Sequence, residues 1–139
     1  MKILIGLVVA LLVGWVWHGP LGNGERLVAG LEAQARQKVA ATELPGILVD
    51  FPRDPLARAA RMSGPANALQ REGLGSQKGV NDHVRDVEGV SSVRWADERG
   101  GGRIVPLLLE TLAFVSLAYF IGLGLGWLVW GRRRREGFA

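Results

Sequence analysis

Hydrophobic residues are concentrated in two nearly uncharged blocks, Ile3–Trp17 and Ile104–Trp130, which enclose a polar middle. Within the second block, Leu107–Trp130 would form a helix of about 36 Å at 1.5 Å per residue, against roughly 30 Å of membrane hydrocarbon. This block therefore predicts a transmembrane helix over residues 104–131, followed by a basic tail over residues 132–139.

The first block is shorter, and two interpretations of it are open. About 22 Å of apolar helix behind a lysine matches the core of a cleavable signal peptide. However, the sequence after this core has Val16, Trp17 and His18 where a peptidase site needs small residues. Because extension to residue 21 lets the helix reach the far interface, we predict an uncleaved signal anchor over residues 1–21.

Basic and aromatic residues flank both apolar blocks. Lys2 precedes the first block, and the run Arg132–Arg135 follows the second. Because the cytoplasmic flanks of membrane helices are enriched in Lys and Arg, we predict cytoplasmic termini and a periplasmic middle, in a bacterial inner membrane. The predicted membrane-boundary residues are Trp15, Trp17, Trp127, Trp130, Arg132, Arg133, Arg134 and Arg135.

Small residues recur at four-residue spacing in both apolar blocks. Such stripes let helix backbones approach closely in lipid, although glycine is also frequent in membrane helices in general. Two stripes in one chain predict a packed hairpin, or packing against the helices of a partner. The predicted helix-packing residues are Gly6, Ala10, Gly14, Ala118, Gly122 and Gly126.

Glu110 is the one charged residue inside the second block, and an intramembrane carboxylate is a functional candidate. It lies about one turn from Leu107, where it can reach the headgroups or pair with Arg103. We therefore interpret Glu110 as an interfacial residue.

The middle of the chain, residues 22–98, has the pattern of a small folded domain, and a glycine-rich linker over residues 99–103 follows it. Asn23 can cap a helix that must end before Pro45. The apolar face of this helix consists of Val28, Leu31, Ala35 and Val39.

The segment after this helix is harder to interpret. A half-buried strand is predicted where apolar residues alternate, at Ile47, Val49 and Phe51. The next segment, Leu56–Gly64, follows Asp54 and Pro55 and contains three alanines, so propensity alone predicts a helix there.

The end of the domain predicts a broken helix and a last strand. The helical spacing of Val80, Val84 and Val87 predicts a helix, which Gly89 is placed to end. Beyond it, the alternation of Val93 and Trp95 is typical of a short strand.

Two short motifs in this region resemble a BON domain. Met62-Ser63-Gly64 is similar to the Leu-Ser-Gly that closes its hairpin, and Val87–Val93 is similar to its Val-x-Gly-Val-x-x-Val. The resemblance covers roughly residues 24–97 and implies that Leu56–Met62 is a hairpin strand, against propensity. BON domains are small modules of bacterial envelope proteins that are associated with phospholipid attachment and with interactions inside envelope assemblies. The predicted fold class is membrane-anchored α+β, with two transmembrane helices flanking a small BON-like α/β domain.

Composition changes this picture little. The 139 residues carry a net charge of +4, but the 12 basic residues between His18 and Arg103 are interleaved with 11 acidic ones. The middle therefore has no basic stripe for nucleic acid. The absence of cysteine excludes disulfides, thiolate metal sites and cysteine nucleophiles.

No constellation of catalytic or metal-ligating residues is present in the sequence. His83 follows Asp82 directly, and adjacent helical residues point apart, so they are not a base with its orienting acid. We predict no enzyme activity, no cofactor, no metal and no small-molecule substrate. Membrane lipids and other integral membrane subunits are the predicted partners. The chain is then an accessory or assembly subunit of a membrane complex; the alternative is a phospholipid-binding module for envelope maintenance.

Overall fold

Two compact units make up the computed structural model, which describes residues 1–98 and 104–133 and only the backbone of 130–133. One unit is Gly22–Leu107, and the other combines the two ends of the chain, Met1–Leu21 and Leu108–Ala139. The predicted linker over residues 99–103 lies outside the described residues.

Helix α2 (Asn23–Ala40) is the first element of the domain. The four apolar positions that its spacing predicts are all buried, which confirms its amphipathic face. The expected cap is wrong, because Asn23 is the first helical residue and Gly22, with φ +67°, takes the N-cap position. Glycine adopts this left-handed conformation without strain.

Three strands form a mixed sheet in the order β1 (Leu48–Asp50), β2 (Ala59–Ser63) and β5 (Ser92–Trp95). The outer strand β1 pairs antiparallel with β2, and β5 pairs parallel with β2 on its other side. Both predicted strands are confirmed, each a little shorter or shifted at its ends.

The helix that propensity predicts within Leu56–Gly64 is not formed, and β2 occupies the second half of that segment. This strand has neighbours on both edges, so its backbone hydrogen bonds are satisfied by β1 and β5. Ala60 and Met62 are buried on the helix-facing side. Tertiary pairing thus overrides the helical preference of alanine.

Gly64 follows β2 where the backbone comes close to the entry of β1. Its φ is +130°, and a Cβ built on it would lie 2.3 Å from the carbonyl oxygen of Gly46. Only glycine fits this position, as a hairpin exit there requires.

The helical segment between the hairpin and β5 is broken, as predicted, and Gly73, Gly75 and Gly79 lie at the breaks. It contains α3 (Ala68–Glu72), a two-stranded ribbon of β3 (Gly73–Leu74) and β4 (Gln77–Lys78), and α4 (Val80–Arg85). The expected end of the helix at Gly89 is wrong: α4 ends at Arg85, and a turn carries the chain on to Gly89, whose φ is +100°.

The core lies between one face of the sheet and the helices α2 and α4. A row of buried residues crosses the sheet, because Val49 is paired with Met62 and Met62 with Trp95. Val28 of α2 and Val84 of α4 belong to the same buried cluster. Both helices therefore cover the same side of the sheet.

The other unit consists of α1 (Lys2–His18) and α5 (Leu107–Arg133). In the described part of the chain, the one helix long and apolar enough by itself to cross a membrane is Leu107–Val129, with mean hydropathy 2.0. The 17-residue α1 reaches the required length only when it is counted together with α2. The fold is therefore α+β with one C-terminal apolar helix that could span a membrane.

Candidate functional site

The small residues of α1 lie against α5. The hydroxyl of Tyr119 donates a hydrogen bond of 2.7 Å to the carbonyl oxygen of Ile3. A Cβ built on Gly6 would lie 2.5 Å from the same hydroxyl oxygen, so a side chain there would displace the tyrosine. Gly6 thus permits the close approach of the two helices.

Gly14 makes the second close approach between the two helices, two turns further along α1. It is buried, and a Cβ there would lie 3.3 Å from Val115 and 3.5 Å from Leu112. Ala10, between the two glycines in the stripe, is half-buried. The predicted stripe of α1 is therefore the face that contacts α5.

The predicted stripe of α5 has a different environment. No described atom lies within 4 Å of a Cβ built on Gly122 or Gly126, and Ala118 is exposed. The reason is an offset: Ile3 lies against Tyr119, and α5 continues for about 15 Å beyond Tyr119 to Val129. The two stripes thus do not meet each other.

A groove marks the uncovered part of α5. Its volume is about 450 Å³. The residues that line it are Ala118, Tyr119, Gly122, Leu123, Gly126 and Trp127. These include all three small residues of the α5 stripe, so the stripe forms the floor of a surface that the described chain leaves open.

Three of the predicted membrane-boundary tryptophans can be located. Trp15 and Trp17 are exposed in the last turn of α1, and Trp127 is exposed on α5. Exposed indole rings near helix ends are typical of residues at the headgroup boundary. The side chains of Trp130, Arg132 and Arg133, and the whole of Arg134 and Arg135, lie outside what the structure describes.

Glu110 is half-buried in the first turn of α5. The proposed partner Arg103 lies outside the described residues. The interfacial interpretation of Glu110 therefore stays a prediction.

A polar network that no local sequence pattern indicates links α3, α4 and β5 inside the domain. The indole of Trp95 donates a hydrogen bond of 2.8 Å to Asn81, whose amide donates to Glu72 at 3.0 Å. The guanidinium of Arg71 lies 4.0 Å from the centre of the Trp95 ring and donates two hydrogen bonds to Asp97. All buried polar side-chain atoms in the described residues have partners.

The Arg71 and Asp97 side chains favour each other's charged forms. The hydrogen bonds from Arg71 hold the pKa of the Asp97 carboxyl below its usual value, and they raise the pKa of Arg71 further. On the surface, the hydrogen bond from Lys78 likewise lowers the pKa of the Asp86 carboxyl. Each shift favours the charged form of its group, so both pairs hold their charges at neutral pH.

No group of three metal-ligating side chains occurs within residues 1–98 and 104–129. His83 and Asp82, in α4, are both half-buried, and neither belongs to such a group. The groove of α5 is the first candidate surface for interaction in the described residues.

A charged row on the sheet is the second such surface. Asp50, Arg61 and Arg94 are neighbours on three adjacent strands, on the face away from α2 and α4. No local sequence pattern indicates this row, because only the pairing of distant segments brings the residues together.

Comparison with known proteins adds no relative. No protein-family model matches the chain, and no curated protein or solved structure is detectably similar to it.

Proposed function

We propose that this chain is a non-enzymatic subunit of the bacterial inner membrane, which assists or stabilises a larger membrane complex. The observation that carries the proposal is the uncovered groove of α5. An apolar helix with two glycines facing open space can receive a closely packed helix. In a bilayer, interfaces of this kind are stabilised by van der Waals packing rather than by the hydrophobic effect.

The domain is proposed to be a BON-like module that α1 and α5 anchor. Support comes from its order of elements, which is a helix, a hairpin, a helical region broken by glycines, and a last strand. Further support comes from Gly64, which follows the resembling Met62-Ser63 and serves the hairpin exit that the motif implies. The proposed role of such a module is to contact partner subunits in the periplasm.

The proposed topology has both termini in the cytoplasm and the domain in the periplasm. The basic residues Lys2 and Arg132–Arg135 support it. This topology requires Lys2 to reach the cytoplasmic headgroups, although its neighbour Ile3 lies beside the middle of Leu107–Val129. Tilting of α5, local thinning of the bilayer and snorkelling of the Lys2 amine would together let Lys2 reach the headgroups.

Topology can be tested with reporters and with a single cysteine. A cytoplasm-specific reporter fused after Ala139 and a periplasm-specific one inserted at Gly101 should both be active. Because the native chain has no cysteine, Lys2→Cys gives a unique thiol. A membrane-impermeant maleimide should label it only from the cytoplasmic side. Periplasmic activity of the Ala139 fusion would contradict the proposed topology.

The partner helix can be tested by co-purification in mild detergent. Gly122→Leu and Gly126→Leu should reduce the recovery of stoichiometric partners, because bulk in the groove separates the backbones. Gly124→Leu is the matched control, since Gly124 is also a glycine of α5 with open space around it but does not line the groove. Equal recovery for all three variants would reject the groove as the interface.

The alternative function, a phospholipid-binding module, makes a different prediction. The protein would purify without stoichiometric partners, and the domain would bind lipid vesicles whether or not the groove is blocked. That pair of results would replace the proposed assembly role.

A further inference from the structure

Among the described residues of the domain, α2 and α4 lie on one face of the three-stranded sheet, and no helix of the domain lies on the opposite face. Val49, Met62 and Trp95 point to the helices, so the residues one position away point to the opposite face. Asp50 is paired with Arg61, and Arg61 is paired with Arg94. We call this row of Asp50, Arg61 and Arg94 the arginine face.

The two arginines of this row are close neighbours. Adjacent strands lie about 4.8 Å apart, so the Arg61 and Arg94 side chains leave the sheet side by side. Like charges that face each other across strands are unfavourable. Asp50 is next to Arg61, yet no ion pair joins them.

Several other arginines of the domain have a side-chain partner. Other arginines are bound: Arg53 pairs with Glu32, Arg71 with Asp97, and the Arg58 guanidinium donates to a backbone carbonyl. Within the described residues, neither Arg61 nor Arg94 makes a hydrogen bond or an ion pair through its side chain. Arg26 of α2 also lacks an ion pair in this part of the chain, so what distinguishes Arg61 and Arg94 is that they are neighbours on adjacent strands.

A cavity of about 390 Å³ borders the arginine face. Arg61 and Arg94 both line it, and Pro52, Ala59 and Ile104 give it an apolar wall. The arrangement therefore combines two guanidinium groups with space for an apolar side chain. Guanidinium groups bind carboxylates in a two-point geometry, which makes such a pair specific for acidic ligands.

The signs of the charges favour a polypeptide over a membrane surface. Asp50 at one end of the row, and Glu98 on the cavity wall, would repel a uniformly anionic bilayer. A peptide segment can present carboxylates to the arginines and keep them away from Asp50 and Glu98.

We propose that the arginine face docks an acidic segment of a partner protein, with two carboxylates on Arg61 and Arg94 and an apolar side chain in the adjacent cavity. This inference rests on the proposed function, since it gives the periplasmic domain a specific contact in the assembly. The contact is separate from the groove of α5, so either can fail alone.

The test uses the full chain in detergent micelles and two labelled synthetic peptides. One peptide has glutamate at alternate positions around a central leucine, and the other has glutamine in place of each glutamate. Binding is measured by fluorescence anisotropy at low and high salt. The variant is Arg61→Gln with Arg94→Gln, and the matched control is Arg26→Gln, an exposed arginine of α2 without an ion pair among the described residues.

The acidic peptide should bind the native chain and the Arg26→Gln control equally, and salt should weaken the binding. The double variant should bind it at least about tenfold more weakly, because two charge-assisted contacts are lost. Asp50→Asn should strengthen binding of the acidic peptide, because it removes a negative charge next to Arg61. Arg61 is exposed and Arg94 is half-buried, and neither side chain makes a hydrogen bond or an ion pair with the described residues. Thermal unfolding of the variants should therefore stay close to that of the native chain.

Three outcomes would overturn the inference. The first is equal binding of both peptides, and the second is binding that the double variant retains. The third is arginine-dependent binding to phosphatidylglycerol vesicles without binding of the acidic peptide, which would assign the face to the membrane. If partners still co-purify through α5 in any of these cases, the proposed function stands and this inference alone is rejected.

Discussion

The buried hydrogen bond between Trp95 and Asn81 supports a sharp prediction about stability. Both residues are nearly inaccessible, at 3% and 4% exposure. Asn81→Ala removes the acceptor of the indole N–H, and the ring itself stays in place under Arg71. The N–H would then be buried without a partner.

The magnitude follows from that unpaired donor. An unsatisfied buried N–H costs about 1–3 kcal/mol, and the lost packing of the amide adds to it, so we expect a loss of about 2–3 kcal/mol. A domain of this size has a stability of roughly 3–5 kcal/mol, so the variant would be marginally folded. In a Trp95→Phe background no N–H remains to be orphaned, and Asn81→Ala should cost at least about 1 kcal/mol less.

Hydrogen exchange of the full chain in detergent can measure both effects. Amides of β2, such as those of Ala60 and Met62, lie in the middle of the sheet and report unfolding of the domain. The native chain, both single variants and the double variant complete the cycle. The prediction is refuted if Asn81→Ala lowers the free energy of unfolding by less than about 0.5 kcal/mol, or by the same amount in the Trp95→Phe background. Either result would mean that the hydrogen bond from Trp95 to Asn81 does not stabilise the domain.

Three further predictions concern the same domain. Val93→Asp should destabilise the domain strongly, because the half-buried Val93 packs against the core and a charge there loses hydration without gaining a partner. Ser92→Asp, on the opposite face of β5, should lower the free energy of unfolding by about 0.5 kcal/mol or less. Equal hydrogen exchange in the two variants would refute this. Gly64→Ala should lower the free energy of unfolding by about 2 kcal/mol or more, because the new Cβ would meet the carbonyl oxygen of Gly46. Gly75→Ala should lower it by about 1 kcal/mol, because Gly75 also has a positive φ but has open space around it. The midpoints of urea unfolding compare the two variants. Because the pKa of Asp97 is lowered in the folded domain, the charged carboxylate contributes its full stabilisation above about pH 4. This contribution is lost as the pH falls through the pKa of Asp97 in the folded state. In Asp97→Asn, the free energy of unfolding should therefore depend less on pH over this acid range.

Elements with a strong local period could be predicted from the sequence. The apolar face of α2 depends only on residues three or four apart, and all four predicted members are buried. The alternation at Val49 and Phe51 likewise predicted a strand with those two side chains inside. The errors at the cap of α2 and at the end of α4 concern single boundary residues, where several backbone conformations satisfy the same pattern.

The second hairpin strand could not be predicted from local preference. Ala59 and Ala60 suit a helix, and the strand is selected because β1 and β5 bind both of its edges. The small-residue stripes show a similar limit in the apolar helices. In the structure Gly6 and Gly14 lie against α5, whereas no described atom lies close to Gly122. The offset behind this difference depends on where the two helices meet, and residue spacing carries no such information.

The arginine face shows most clearly where sequence reasoning ends. Arg61 and Arg94 lie in segments that meet only through the parallel pairing of β2 with β5. A shift of one residue in that register would turn one side chain toward the helices and separate the charges. Their proximity is therefore a property of the sheet, and the net charge of the domain, which is close to neutral, conceals it. The same reasoning predicts that the face acts as a unit, so that the loss of either arginine weakens docking more than neutralisation of any isolated surface arginine would.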